Sequence, residues 1–426
     1  MKKLKVILIG AGGRGISYTD IMHKHPDKYE VVAVAEPIES RREHVKKLHN
    51  IPDDMCFEDY IPLLDKGKIA DVALIATMDR QHFDPAMRAI SLKYDLLLEK
   101  PITSTAEQCV KLTRAAKENG VKVVICTVLR YTNLFITLKN IIDSGKIGKV
   151  MAINHEECVG NIHQSHSFVR GNWGNSEESS DMILQKSCHD FDILQWLLGK
   201  KCKSVQSFGS LSYFKEENAP EGAPEYCIDG CPYSEKCRFD AVKLYLKNYG
   251  STSKWFREAC TRICDPTDED VEKAIRTTQY GKCVYKCNND VVDHQTVNIL
   301  FEDDITVTFS MNAFNMGGRH IHIFGTQGEI YASLDDDSNP IRVFDFNTGT
   351  ENKIDSSGVD GIVGGHGGGD DGLIETLYDY ITGTYKGKSV PDIEESCYNH
   401  LITFAAEESR IKNRQIDVDE FIKSLG

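Results

Sequence analysis

No stretch of this chain is apolar for long enough to cross a membrane as a helix, which removes an integral helical membrane protein from consideration. A basic excess is missing too. Lys and Arg number 50 against 64 Asp and Glu, a formal charge of −14, so no cationic face is on offer to nucleic acid or to an anionic lipid surface. The first apolar run begins within about five residues of the N-terminus, which leaves no room for a secretory leader and makes a cytoplasmic location the expectation. Internal repeats and long low-complexity tracts are lacking; the one glycine-dense stretch runs from Gly364 to Gly372. Cysteine is not scarce. There are 14, and in a reducing compartment a disulfide framework is not expected, so these thiols are core residues or ligands. A hydrophobic content of 41% and a charged content of 27% are those of an ordinary globular protein, and 426 residues imply two domains.

The chain is organised around Lys5-Val6-Ile7-Leu8-Ile9-Gly10-Ala11-Gly12-Gly13-Arg14-Gly15. A short apolar run reads as a buried parallel strand, Gly-x-Gly-x-x-Gly follows at Gly10, Gly12 and Gly15, and a helix opens at Ile16. In that context Gly10 makes the tight turn, Gly12 admits a pyrophosphate to the backbone, and Gly15 lets helix pack on strand. The free N–H groups and dipole of the helix N-terminus favour the anion, which draws in Gly13 and Arg14 as well. The second apolar run, Val31 to Ala35, ends in Glu36, where an acid accepts hydrogen bonds from an adenosine ribose. A carboxylate there repels a 2′-phosphate, so NAD is expected over NADP, with Arg41 and Arg42 as the counter-indication.

Further along, Ser40 to Leu48 reads as a helix, Ile69 to Thr77 as a strand, Met78 to His82 as a loop, Asp95 to Pro101 as a strand and loop, Ala106 to Asn119 as a helix ended by Gly120, and Val121 to Thr127 as a last parallel strand. Alternating strand and helix is the doubly wound α/β pattern, whose ligands bind beyond the strand C-termini. Gly10, Glu36, Thr77 to His82, Glu99-Lys100-Pro101 and Thr127 all fall at that edge. Beyond Arg130 the pattern changes. After a helix from Leu134 to Asp143, extended stretches with apolar–polar alternation recur at Val150–Cys158, Lys203–Phe214, Val292–Phe301, Ile305–Phe314, Arg319–Phe324, Glu329–Leu334 and Ile341–Phe346. They predict an α+β domain on a large, mainly antiparallel open sheet, with helices at Ile183–Leu198, Gly372–Thr382 and Glu394–Lys412. The expected domains are residues 1–128 and 129–426, the second with a cysteine-rich insertion around 220–290.

Two features carry chemistry. Lys100, held extended by the proline after it, suits a donor to a substrate hydroxyl, although a surface lysine at a strand end gives the same pattern. In the predicted helix, Gln185, His189 and Asp192 fall at i, i+4 and i+7 on one face, with Lys186 adjoining. His189 suits a general base for a hydroxyl under oxidation, with Asp192 to orient it and Gln185 and Asp192 as candidate substrate contacts; a satisfied half-buried histidine is the plain alternative.

The glycine fingerprint with Glu36, the Glu99-Lys100-Pro101 triplet, Arg130-Tyr131, Ser144-Gly145-Lys146-Ile147-Gly148 and the His189-x-x-Asp192 helix occur in this order. Together they resemble the Gfo/Idh/MocA family of glucose–fructose oxidoreductase-like and inositol dehydrogenase-like proteins, over the chain from its N-terminus to about Phe324. The resemblance implies a Rossmann domain followed by an open-sheet domain, NAD(P)-linked oxidation or reduction of sugars, cyclitols or their derivatives, and Lys100 and His189 as catalytic residues. One position departs. Where the family commonly has Asp-x-x-x-His, this chain has Gln185, which carries no proton, and Lys186 beside it is a candidate to share the acid–base work. A glycosidase using NAD for transient C3 oxidation and elimination, and a non-catalytic NAD-bound sensor, are the competing readings. The expected assembly is a homo-oligomer, a dimer or tetramer.

Phe168 to Trp173 joins the cation of Arg170 to the aromatic surface of Trp173 and suits a sugar ring, unless Trp173 merely caps the core. Gly364 to Asp371 places His366 in a glycine-rich loop, a second candidate substrate contact. Cys227, Cys231 and Cys237, closed by Cys283 with Cys287 as substitute, form a candidate tetrahedral site for structural zinc or an iron–sulfur cluster. Clustering of buried cysteines without metal is the alternative.

Overall fold

A computed structural model describes residues 3–247, 253–334, 341–355, 368–387 and 389–426. Six strands form a wholly parallel sheet in the order β3-β2-β1-β4-β5-β6. They are β1 (Leu4–Ile9), β2 (Tyr29–Ala35), β3 (Cys56–Phe57), β4 (Val72–Ile75), β5 (Asp95–Leu98) and β6 (Val123–Ile125), linked through α1 (Gly13–Lys24), α2 (Glu39–His49), α3 (Tyr60–Asp65), α4 (Phe83–Ser91) and α5 (Ala106–Asn119). The strands are apolar throughout because both faces are covered: Ile7 and Ile9 enter one core, Val6 and Leu8 the other. Thr105 caps α5 through the Gln108 N–H, and Gly120 ends it in a left-handed conformation. Strand order reverses between β1 and β4, which puts the switch-point crevice at the ends of those two strands.

The rest of the chain comprises α6 (Asn133–Asp143), β7 (Val150–Cys158), α7 (Asn161–His163) running into a π-helix over Gln164–Arg170, α8 (Met182–Gln185), α9 (Cys188–Leu198), β8 (Cys202–Ser210), α10 (Ser253–Thr261), α11 (Asp268–Thr277), β9 (His294–Phe301), β10 (Thr306–Asn312), β11 (Gly318–Gly325), β12 (Gly328–Leu334), β13 (Ile341–Asp345), β14 (Thr350–Ile354), α12 (Gly369–Thr382), α13 (Ile393–Lys412), β15 (Ile416–Asp417) and α14 (Val418–Ser424). Nine strands form a sheet in the order β14-β13-β12-β11-β7-β10-β9-β8-β15. Its pairings are antiparallel except that β10 runs parallel to β7. One face packs on α6, α9 and α13; the other presents Met151, Phe208 and Tyr331 to solvent. Helices α12 and α13 reach back to the first sheet, where Leu373, Ile374 and Leu377 join one core and Ile393, Cys397 and Leu401 the other.

One expectation needs correction. The continuous helix from Ile183 to Leu198 is two helices, α8 and α9, with Lys186 and Ser187 between them. The short edge strand β3 and the insertion helices α10 and α11 had no counterpart in the pattern. Among the described residues no helix is long and apolar enough to cross a membrane.

Candidate active site

The glycine turn divides into two kinds of glycine. Gly10 leaves β1 with φ +89°, and a Cβ on it would lie 2.7 Å from the Ala76 carbonyl just past β4. On Gly15 a Cβ would fall 2.1 Å from the Gly10 carbonyl. Close backbone packing therefore demands both. At Gly12 the nearest atom to such a Cβ is the Arg41 guanidinium, 3.9 Å away, and at Gly13 nothing lies within 4 Å. The protein itself has no need of glycine at these two positions; the space above them is what a pyrophosphate requires. Helix α1 starts at Gly13 with no side-chain cap and no acid in its first turn, so its N-terminal dipole faces no competing anion of its own. Glu36 is buried at the end of β2, its Oε2 accepting from the Ala11 N–H at 2.6 Å and its Oε1 from the Ile38 N–H at 3.0 Å. Each oxygen keeps a second lone pair, which is what a ribose hydroxyl needs. Arg42 Nη1 donates to the Glu36 carbonyl at 2.5 Å and its other arm reaches Glu58, so its charge is tied down beside the carboxylate.

Other expected cofactor contacts brace the edge rather than line it. The Arg14 guanidinium spans Glu99 Oε1 (3.0 Å), Tyr18 Oη (2.5 Å) and both oxygens of Asp370 on α12 (2.6 and 3.0 Å). Glu99 also accepts from Tyr18 Oη and from the Lys100 N–H. Burial alone would raise its pKa, but the charges of Arg14 and Lys100 outweigh that and hold it below the usual range. Both side chains are thus consumed in a clamp between the glycine turn, β5 and α12. His82 is fully buried, with Nδ1 2.7 Å from the Pro101 carbonyl and Nε2 3.1 Å from that of Thr77, joining the loops after β4 and β5. Its direct cofactor role is therefore replaced by a bracing one. Thr77 stays at the edge, its N–H within 2.8 Å of where a Gly10 Cβ would be.

Where α8 breaks, the Gln185 carbonyl accepts a hydrogen bond from Lys100 Nζ at 2.8 Å. This contact carries the ammonium from the end of β5 to the break between α8 and α9. There it bears electrostatically on Lys186 and Cys188. His189, on the first turn of α9, is 5% exposed, and the Gln185 side chain is buried. Lys186 Nζ lies 3.2 Å from Glu157 Oε1 on β7. Burial pushes the Lys186 pKa down, with Arg319 and Lys100 acting the same way and Glu157 against it. The structure thus brings Lys100, the Gln185 backbone and Lys186 together, with His189 further along in the first turn of α9. Asp192 is not among them. Its carboxylate takes Arg130 Nε at 2.7 Å and Nη2 at 2.8 Å, plus Asn399 Nδ2 at 2.7 Å, all buried, so both its oxygens are spent in the core. As a substrate contact or an orienter of His189 it is withdrawn.

Arg170 is likewise corrected. It is 2% exposed inside the insertion, donating to the carbonyls of Lys282 and Phe239 at 2.8 Å each. Trp173 is partly buried and packs on Phe168 against the core of the second sheet, away from a stacking role. Cys227, Cys231, Cys237 and Cys283 do line one cavity of about 30 Å³ together with Arg170. Yet among the described residues no group of three or more His, Cys, Asp or Glu stands close enough to hold a metal ion. The zinc or iron–sulfur expectation accordingly finds no support. The cation at this centre is the guanidinium, whose Nη2 is 3.6 Å from Cys227 Sγ. His366 lies outside the described residues.

The residues missed by sequence reasoning are Glu157, Arg319, Asp190 and His155. For the three on strands the signal was parity: on β7 the buried positions are Ile153, His155 and Glu157, and on β11 they are Arg319, Ile321 and Ile323. Charged side chains at core register positions of an amphipathic strand call for partners.

Comparison with known proteins gives the following. Residues 4–127 match the model of the GFO_IDH_MocA oxidoreductase family's NAD-binding Rossmann fold. Residues 139–418 match that family's C-terminal alpha/beta domain. The putative oxidoreductase YteT of Bacillus subtilis is 23% identical over 394 residues, 88% of each chain. Inositol 2-dehydrogenase of Salmonella typhimurium is 27% identical over 206 residues, 48% of this chain and 57% of its own, so that alignment spans little more than half of the dehydrogenase. A levoglucosan dehydrogenase solved with NADH and levoglucosan superposes with a TM-score of 0.72 at 15% identity, over 98% of this chain and all of that one. At such an identity the likeness speaks for the fold alone.

Proposed function

The chain belongs to the Gfo/Idh/MocA oxidoreductase family, and from that premise we propose that it is an NAD-dependent dehydrogenase of a secondary hydroxyl on a sugar, cyclitol or glycoside. The observation that supports this reading is the Lys100–Gln185 contact at 2.8 Å, which sets an ammonium against the last residue of α8, just ahead of the helix that bears His189 and beside the dinucleotide edge. The name of one relative, inositol 2-dehydrogenase, supports the substrate class.

Gly12, Gly13 and the start of α1 would hold the pyrophosphate and Glu36 the adenosine ribose. NAD, when bound, supplies the hydride acceptor. The chain's own work is with the proton. Lys100 has two N–H donors beyond the one on Gln185, enough to hold the substrate oxygen and to stabilise the alkoxide as charge develops on it. His189 takes the hydroxyl proton, the role a positioned imidazole fills near neutral pH. Lys186, whose pKa burial lowers, is a second proton carrier beside Gln185, the position where the family's carboxylate is absent. The preference for NAD over NADP rests on Glu36, whose carboxylate repels a 2′-phosphate.

The test is to incubate the protein with NAD and a panel of sugars, cyclitols and glycosides, following NADH absorbance and glycoside cleavage separately. Net NADH with a free sugar or cyclitol is the expected result. Cleavage without net NADH would replace this reading with that of an NAD-dependent glycosidase. Neither signal over a broad panel would favour a non-catalytic sensor.

A further inference from the structure

β7 and β11 are neighbours, with Arg319 directly opposite Glu157. Both residues occupy buried register positions that an apolar pair would fill at lower cost, because charges taken out of water carry a desolvation penalty. Their contacts run in a single row. His155 Nε2 lies 2.7 Å from Asp190 Oδ1, which lies 2.9 Å from Arg319 Nε; that nitrogen is 2.5 Å from Glu157 Oε2, and Glu157 Oε1 is 3.2 Å from Lys186 Nζ. The first four residues are at least nine-tenths buried. Lys186 ends the row with its side chain 18% exposed, within electrostatic reach of Lys100.

We propose that Glu157 is a positioning residue of this site: its carboxylate holds the Lys186 ammonium beside Lys100 and supplies the negative charge that Gln185 cannot. The proposal rests on reading Lys100 and His189 as the reaction centre. The charged groups that bear on Lys186 are Glu157 from β7, Arg319 from β11 and Lys100 from the end of β5. Asp190 already answers Arg319 and His155. Burial, Arg319 and Lys100 all favour loss of the Lys186 proton, and Glu157 opposes them through a direct contact. Neutralising Glu157 therefore removes the one anion in direct contact with Lys186 among the described residues, and the lysine must give up its proton at lower pH.

The direct readout is the titration of Lys186 itself, in protein free of substrate and cofactor. Trace acylation with acetic anhydride across a pH series, with each lysine quantified by mass spectrometry, reports the fraction of free amine. In E157Q the Lys186 midpoint is expected to fall by about 1–3 pH units, the effect of one close opposite charge. E157D keeps the charge and is expected to titrate as the unmodified protein. An unmoved midpoint in E157Q, or an equal fall in E157D, overturns the proposal. Should E157Q not fold, R319Q keeps the test open, since removing that cation should move the midpoint up; a fall, or no change, overturns it. In turnover, E157Q should shift the pH profile of kcat toward lower pH and should add nothing in a K186M background. A shifted titration with an unmoved kcat profile also overturns the positioning role. Absence of turnover by the unmodified protein counts against the dehydrogenase reading instead, and leaves the titration with its own answer.

Discussion

Replacing Asp192 by asparagine separates a structural carboxylate from a substrate contact. In the native protein its two oxygens meet Arg130 at 2.7 and 2.8 Å and Asn399 at 2.7 Å, with Arg130 and Asp192 both buried. Asparagine preserves the shape but turns one acceptor into a donor that faces a guanidinium. Removing one charge from a buried pair costs about 3–5 kcal/mol. Here Arg130 retains Glu395 at 2.8 Å, and Glu395 is 40% exposed, so some water and one anion remain to answer the guanidinium. The lower end, about 3 kcal/mol, is therefore expected. At about 2–4 °C per kcal/mol for a domain of this size, the Tm should drop by roughly 6–12 °C. Thermal unfolding followed by circular dichroism measures it, with turnover assayed well below the transition. Turnover there should change less than about tenfold, since the side chain touches neither reactant nor cofactor turn. An unchanged Tm with turnover down by about 10²-fold, the cost of losing a group at the reaction centre, would refute the structural assignment and return Asp192 to the substrate.

Gly12→Ala should fold with an unchanged Tm, because nothing closer than 3.9 Å meets the added methyl, yet NAD affinity measured by calorimetry should fall at least about tenfold as the methyl enters the phosphate space; a wild-type affinity would show that the turn holds no pyrophosphate. Glu36→Ala should weaken NAD and narrow its advantage over NADP, and equal affinities in the unmodified protein would remove the argument for NAD. Burial lowers the pKa of His166 to about 3 and of His400 to about 4, below the ordinary value near 6.5, so between pH 6.5 and 4 the unfolded chain binds protons that the folded one does not. Stability that is full above pH 6.5 is accordingly lost as pH falls through that window, by roughly 3 kcal/mol for each histidine. The Tm should decline from pH 7 to pH 4.5, and His166→Phe, which keeps the ring stack on Phe256, should flatten part of the decline; an identical slope in that variant would contradict the burial argument.

The parallel sheet was legible because strands covered on both faces appear as unbroken apolar runs, and Gly10 and Gly15 because close packing leaves those two positions no other residue. β7 was legible end to end because one face of an antiparallel sheet is wet. The break at Lys186 and Ser187 was not. No glycine or proline marks it, and apolar periodicity continues on both sides; what stands there is a bond from Lys100, 85 positions away. Asp192 reads as a site residue so long as Arg130, 62 positions earlier, is not known to be its partner. Arg14 has the same history, since Asp370 lies 356 residues distant. The cysteines did gather at one cavity, as their spacing implied, but the guanidinium at its centre belongs to a residue assigned to the substrate. Local pattern identifies elements and their faces. Which charge answers which is decided by tertiary contacts that have no local signature.

The most direct measurement is NADH formation on an accepted substrate by Lys100→Ala and His189→Ala, each paired with its NAD dissociation constant. Neither residue belongs to the glycine turn, so NAD binding should stay within about threefold while turnover falls by about 10²–10⁴-fold, the usual loss when a positioned acid–base group is removed. Near-full turnover in His189→Ala, or a loss explained by weakened NAD binding, would contradict the assignment of hydroxyl oxidation to the Lys100–His189 centre.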